Sequence, residues 1–293
     1  MIKSKTILTF ATGFAFRSIY DTLISIKNDF NIDLVERKIA TEEKIVYQSI
    51  PSAVGAATDC KSNESEHLLN PIKYFYETAK SLHPATDKVI FHEYQIMYGR
   101  FLLPYYYQNP NMKMLEIGLG CGMGYGPGMS VALHQKIFPN AELWEAEYDE
   151  KCVNLHRNGK LKNINVLTGD QGNETVLDRW IKESGGNFDV IIDDGGHKNC
   201  QIWNSLKTLW PTLKSGGLYF IEDLHVGKYD WTRDFTTESC DKNITVSEEM
   251  KEVVDLLIYR GEEDLIDSVM KRDFHKEVEF LFCQLEACVI GKK

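Results

Sequence analysis

The stretch "VIIDDGGHKNC", Val190 to Cys200, ends an apolar run in Asp193, Asp194 and His197, with Gly195 and Gly196 between them. A buried strand that stops this way delivers carboxylates and an imidazole to one place, and glycines let the chain turn tightly around it. A second apolar run, "YFIEDLH", ends in Glu222 and Asp223. If the two strands are neighbours, Asp194, Glu222 and Asp223 converge, and carboxylates that close raise one another's pKa unless a cation lies among them. All-oxygen ligation without a Cys/His cluster suits Mg²⁺, with Mn²⁺ or Ca²⁺ as alternatives and zinc disfavoured. His197 beside such a site reads as a general base for a hydroxyl, whereas an isolated histidine at a helix start reads as a cap or a packed ring.

Upstream, "MLEIGLGCGMGYGPG" ends another apolar run in Glu116, Gly118, Gly120 and Gly122. Glycines there let a ligand touch the backbone, and an acid can meet its cationic or hydroxyl-bearing part. A dinucleotide loop would need G-x-G-x-x-G, and that template fails at Met123, Tyr125 or Pro127 according to whether it starts at Gly118, Gly120 or Gly122. A nicotinamide or flavin cofactor is therefore disfavoured. The next strand-like run ends in Glu147, suited to accept from the two hydroxyls of a ribose. The one after it ends in Asp170 and Gln171, where a base edge would lie. Acids after successive strands beside a glycine loop read better as ligand-binding groups than as solvated decoration.

These residues need a scaffold, and from about residue 112 the chain supplies one by alternating strand-like and helix-like runs. "KMLEIG", "AELWEAE", "NINVLTGD", "FDVIIDD" and "GGLYFIED" read as strands; "SVALHQKIF", "ETVLDRWIKES" and "CQIWNSLKTLWPTL" as the helices among them; "EVEFLFCQLEACVIGKK" as a closing antiparallel hairpin. The pattern predicts an α/β fold with a doubly wound, mostly parallel sheet, its ligand side at the carboxyl ends of the strands. Residues 27–110 are rich in aromatics and read as a helical lid over that edge, with Thr86, Asp87, Lys88 and His92 helping to close the site. Tyr94, Tyr98 and Phe101 fall on one helical face and read as core. Residues 111–293 then form the main domain.

Composition narrows the partners. With 33 basic against 43 acidic residues among 293, a net charge of −10, nothing draws the chain to nucleic acid or anionic membranes. The seven cysteines are scattered without a C-x-x-C pair and read as reduced thiols, which suits the cytoplasm. The opening "MIKSKTILTFATGFAF" is short for a membrane span. Residues 1–26 read as an amphipathic helix, or alternatively as a targeting segment for the secretory pathway or mitochondria; N-x-S/T sequons stand at Asn63, Asn173 and Asn243. The oligomeric state is open, a homo-oligomer included.

Taken in order, "TDKVIFHEYQIMYGRFLLP", "LEIGLGCGMGYGPG", "GDQ", "IIDDGGH", "SLKTLWPTLKSGG" and "YFIEDL" resemble the class I S-adenosylmethionine-dependent methyltransferases, in particular the metal-dependent O-methyltransferases of macrolide sugars and their fungal relatives. The resemblance covers roughly residues 112–293. It implies a seven-stranded Rossmann-like sheet in the order 3-2-1-4-5-7-6, S-adenosyl-L-methionine as methyl donor, and a divalent ion, Mg²⁺ or Mn²⁺. By position it implies that Asp194, Glu222 and Asp223 are metal ligands and His197 the catalytic base. Glu116, Gly118, Gly120, Gly122, Glu147, Asp170, Gln171 and Asp193 fall on the cofactor side. The partner implied is a small acceptor, a sugar hydroxyl or another natural-product hydroxyl. A non-catalytic S-adenosylmethionine-binding regulatory module is the alternative, which would have no use for an acid triad and a base.

Overall fold

The computed structural model describes residues 70–124, 126–229, 245–258 and 273–293. The expected amphipathic or targeting segment, 1–26, and the first part of the lid region lie outside them. The described chain opens with α1 (Pro71–Lys80), α2 (Asp87–Ile90) and α3 (Gln95–Met97). A π-helical turn over Tyr98–Leu102 then leads into α4 (Leu103–Gln108). Alternation follows as expected: β1 (Lys113–Ile117), α5 (Met129–Ile137), β2 (Glu142–Glu147), α6 (Glu150–His156), β3 (Asn165–Thr168), α7 (Glu174–Ser184), β4 (Phe188–Asp193), α8 (Asn199–Leu209) and β5 (Leu213–Ile221). Helix α9 (Val246–Ile258) precedes the hairpin of β6 (Val278–Cys283) and β7 (Cys288–Lys292).

The seven strands lie in the order β3-β2-β1-β4-β5-β7-β6, parallel except for β7. Two apolar layers enclose the sheet. Leu115, Ile117, Ile191, Tyr219 and Ile221 face Trp180 of α7 and Leu206 of α8. Met114, Val190, Ile192 and Phe220 face Phe75, Tyr98 and Leu133 on the other side. Because both faces are covered, β4 is buried along its whole length, which is why it reads as an unbroken apolar run.

One boundary differs from expectation. The helix read through Leu213 ends at Leu209 in a 3₁₀ turn, Trp210–Thr212, because Pro211 offers no backbone N–H to continue it. Strand β5 therefore starts earlier, with a register shift between its first pairing and that of Leu218 with Val190.

The reduced-thiol reading is corrected. Cys121 is disulfide-bonded to Cys152, Cys283 to Cys288, and Cys200 is also disulfide-bonded. The parallel β1–β2 pairing brings the segments after those strands together and so unites Cys121 with Cys152 despite a sequence separation of 31. Cys283 and Cys288 are register partners at the closed end of the β6–β7 hairpin.

Candidate functional site

The sheet's ladder continues past the strand ends and builds a floor for the site. Gly118 N–H donates to Ala146 O at 2.8 Å, Asp194 N–H to Ile117 O at 2.9 Å, Glu222 N–H to Asp193 O at 3.0 Å and Gly169 N–H to Glu147 O at 2.9 Å. Gly118 is indispensable to that stitching: its φ is +107°, and a Cβ there would sit 1.9 Å from the carbonyl oxygen of Asp194. Above the floor lies a cavity of about 730 Å³. One wall is the loop from Gly118 to Met123 with Glu147, Asp170 and Gln171. The facing wall is Asp194 to Lys198 with Asp223, and Thr86 to Lys88, Phe91 and His92 close it from the segment before β1.

On the glycine wall, Glu147 is held by its own turn. Its Oε2 accepts from the Cys121 N–H at 3.2 Å and its Oε1 from the Asp149 N–H at 3.0 Å. The Cys121–Cys152 bond ties together the two segments that grip this carboxylate. Asp170 Oδ1 accepts from Gly172 N–H at 2.8 Å and from Gln201 Nε2 at 3.1 Å. Gln171 lines the cavity, and its amide also spans to Asp193 at 2.8 Å and to the Gly196 N–H at 2.8 Å.

Two of the expected cavity acids point elsewhere, and strand alternation explains both. Side chains two apart share a face, so Glu116 lies with Met114 beneath α5 and is fully buried. There it meets Lys88 at 3.3 Å and His134 at 3.3 Å. Burial alone would raise its pKa, but the Lys88 ammonium and His134 outweigh it and hold Glu116 at about 2. Asp193 lies on the opposite face with Ile191, where Ser205, Gln171 and Tyr219 donate to it. Burial pushes its pKa up against those hydrogen bonds. Neither residue lines the cavity; Glu116 braces Lys88, and Asp193 fixes Gln171.

On the opposite wall, Asp194, His197 and Asp223 come together, with donor atoms within 4.8 Å of one another. The His197 Nε2 lies 3.5 Å from Asp223 Oδ2. His197 holds φ at +54° and Asp223 at +53°, a backbone region costly for residues other than glycine. The capping alternative for His197 is not seen: the N-cap of α8 is Lys198, and no side chain caps that end. Glu222 sits one layer deeper. Lys88 donates to its two oxygens at 2.7 and 2.9 Å, and Tyr98 donates to Oε1. The same ammonium reaches Asp194 Oδ2 at 2.8 Å.

Lys88 is thus the hub that sequence reading placed only in the lid. Burial disfavours its charge, but Asp194 and Glu222 beside it keep it protonated well above the ordinary lysine range. One ammonium does not neutralise Glu116, Asp194 and Glu222 together. Burial, followed by Asp194, pushes Glu222 up, and burial pushes Asp194 up against the pull of Lys88. The excess of carboxylate around a cavity open to solvent is a setting for a small cation, and the Asp194, His197 and Asp223 donors fit one. Tyr94 and Tyr98, read as core from their spacing, are buried as expected, yet their hydroxyls also serve the site. Tyr94 donates to Asp223 Oδ1 at 2.5 Å and Tyr98 to Glu222. Helical periodicity marks the buried face but carries no sign of where a phenol tip ends.

No protein-family profile matches the chain. Over 120 residues it is 34% identical to mycinamicin VI 2''-O-methyltransferase of Micromonospora griseorubida, covering 40% of this chain and 28% of that protein. Over 155 residues it is 26% identical to L-olivosyl-oleandolide 3-O-methyltransferase of Streptomyces antibioticus, covering 52% of this chain and 38% of that one. The chain therefore spans about a third of the length of these relatives. Among solved structures it is similar to the MycE methyltransferase of the mycinamycin pathway in complex with Mg, SAH and mycinamycin VI. That match has a TM-score of 0.60 at 19% identity and covers 83% of this chain and 66% of that one. The Rossmann-like sheet and its strand order are those of the class I methyltransferase fold.

Proposed function

We propose that this chain, which has the class I methyltransferase fold, is a metal-dependent O-methyltransferase that moves the methyl group of S-adenosyl-L-methionine to a hydroxyl of a glycoside or another small natural product. The observation that carries the reading is the single cavity in which the glycine loop and Glu147 face the Asp194, His197 and Asp223 cluster. A ligand-binding module needs the first wall only, so the second wall favours catalysis over the regulatory alternative.

In this reading Glu147 accepts the ribose hydroxyls, Asp170 and Gln171 line the adenine side, and Gly118, Gly120 and Gly122 let the backbone approach. Asp194 and Asp223 would hold the divalent ion, with Glu222 supporting Asp194 from below through Lys88. When bound, such an ion would lower the acceptor hydroxyl's pKa and orient it, and the sulfonium would supply an electrophilic methyl. His197 accepts the hydroxyl proton, and the lid residues around Lys88 and His92 exclude water. Glu147→Ala is expected to weaken S-adenosylmethionine binding by about 1.5–3 kcal/mol, the usual loss for hydrogen bonds to a charged group. Calorimetry giving equal affinity for the two proteins would remove Glu147 from the ribose site.

The function itself is tested with methyl-labelled S-adenosylmethionine, Mg²⁺ and a set of glycosides and macrolides. Label is expected on an acceptor oxygen, to vanish with chelator and to return with Mg²⁺. Full transfer in excess chelator would show the acid cluster to be structural.

No described helix is long and apolar enough to cross a membrane. Of the locations the sequence allows, cytoplasm, secretory pathway or mitochondria, the disulfides favour an oxidising compartment over the cytoplasm.

A further inference from the structure

A second group of ligand-type side chains lies beside the site, on the side of Asp223 turned away from His197. His92 Nδ1 is 2.7 Å from Glu286 Oε2 and 3.8 Å from Asp223 Oδ1, and the three donor atoms lie within 4.8 Å of one another. His225 stands next to them on a partly exposed ring; its Nδ1 lies 3.7 Å from Glu286 Oε1, and that nitrogen is buried without a hydrogen-bond partner. These residues come from three separate parts of the fold: His92 from the turn after α2, Asp223 and His225 from the end of β5, and Glu286 from the β6–β7 turn.

Asp223 divides its carboxylate between two neighbourhoods. Its Oδ2 faces His197, and its Oδ1 faces His92 and Tyr94. The first neighbourhood is rich in oxygen. The second offers two imidazoles and two carboxylates, a donor set that suits a borderline ion and not Mg²⁺. Ligands about 2.0–2.2 Å from a tetrahedral ion stand roughly 3.3–3.6 Å apart. The spacings of 2.7 and 3.8 Å about His92 Nδ1 straddle that edge, and His225, 3.7 Å from the other Glu286 oxygen, would turn in to complete the set.

We infer that His92, Asp223, His225 and Glu286 form a second cation site, selective for Zn²⁺ over Mg²⁺, that shares Asp223 with the first. Binding there takes the place of the hydrogen bond between His92 Nδ1 and Glu286 Oε2. The ion ties the lid segment to the sheet and to the terminal hairpin at the mouth of the cavity, and it leaves Oδ2 of Asp223 to the other cluster. The inference concerns metal binding alone and does not depend on methyl transfer.

The test uses the intact chain stripped with chelator and titrated with Zn²⁺ in competition with a chromophoric chelator. His92→Ala and Glu286→Ala are each expected to weaken Zn²⁺ binding about 10–100-fold or more. Asp194→Ala should leave that affinity unchanged. Glu286→Gln guards against loss of fold, because it keeps a hydrogen-bond acceptor for His92 but not the charge, and it should weaken Zn²⁺ equally while thermal unfolding stays as in the intact chain. Co²⁺ in place of Zn²⁺ should give visible absorption of a low-coordinate nitrogen-containing site in the intact chain and in Asp194→Ala, and lose it in Glu286→Gln. Unchanged Zn²⁺ affinity in His92→Ala and Glu286→Gln would overturn the inference and leave these residues a hydrogen-bonded clasp. Loss in Asp194→Ala alone would overturn it too, by placing Zn²⁺ in the other cluster.

Discussion

Lys88→Met is expected to destabilise the fold by about 3–5 kcal/mol, the cost of removing one partner from a buried ionic cluster. Met matches the length of the lysine stem, so the change tests charge more than packing. In the intact chain Lys88 is 2% exposed and its ammonium sits among Glu116, Asp194 and Glu222, each of which loses its nearest cation in the variant. The chain can then relieve the repulsion only by protonating carboxylates. A carboxyl whose pKa is raised by folding binds its proton more tightly in the native state, so stability falls as pH rises through that range. The deficit of Lys88→Met should therefore be larger at mildly alkaline than at mildly acidic pH. Lys88 in the intact chain follows the same sign in a more alkaline window. Its folded pKa lies above the ordinary lysine value, so its contribution is complete at neutral pH and is lost only when pH climbs past that range. Urea titrations of both proteins at two pH values decide the matter; a deficit under about 1 kcal/mol, the level of an exposed ion pair, would show that solvent already screens the cluster.

Why Lys88 was invisible as a hub is plain from its partners. It meets Asp194 across 106 residues of sequence and Glu222 across 134, and contacts at that range leave no periodic trace. The sheet was legible for the converse reason. Each strand is a local apolar run punctuated by glycine, proline or acids, and β/α alternation admits few topologies. The same locality set the limits at Glu116 and Asp193. The parity of a strand shows that Met114 shares a face with Glu116 and Ile191 with Asp193, but not which face turns to the cavity. Asp194, one residue beyond β4, gives one oxygen to the buried Lys88 and lines the cavity, which is why the second aspartate of the pair and not the first reaches the cluster. Cys283 and Cys288 were the missed local signal: a hairpin with cysteines at its two facing ends predicts their bond.

His197→Ala is expected to lower the rate of methyl transfer by about 10²–10⁴-fold with cofactor affinity intact, the usual contribution of a positioned general base. The geometry argues for a base over a structural ring. His197 holds a left-handed backbone conformation, takes no part in capping α8, and turns its Nε2 toward Asp223 at the cavity wall. Conformations of that kind cost of order 1–3 kcal/mol and persist where the surrounding fold enforces them. Alanine at the same φ bears a similar backbone cost, so the substitution removes the imidazole without relieving the strain, and Gly at this position separates the two effects. If the ring serves catalysis, His197→Ala and His197→Gly lose similar rate, while His197→Gly gains stability over His197→Ala. Single-turnover transfer to an identified acceptor completes the test. Variants that keep the chemical rate would move the base to His92 or to water and leave His197 a residue of the cavity wall.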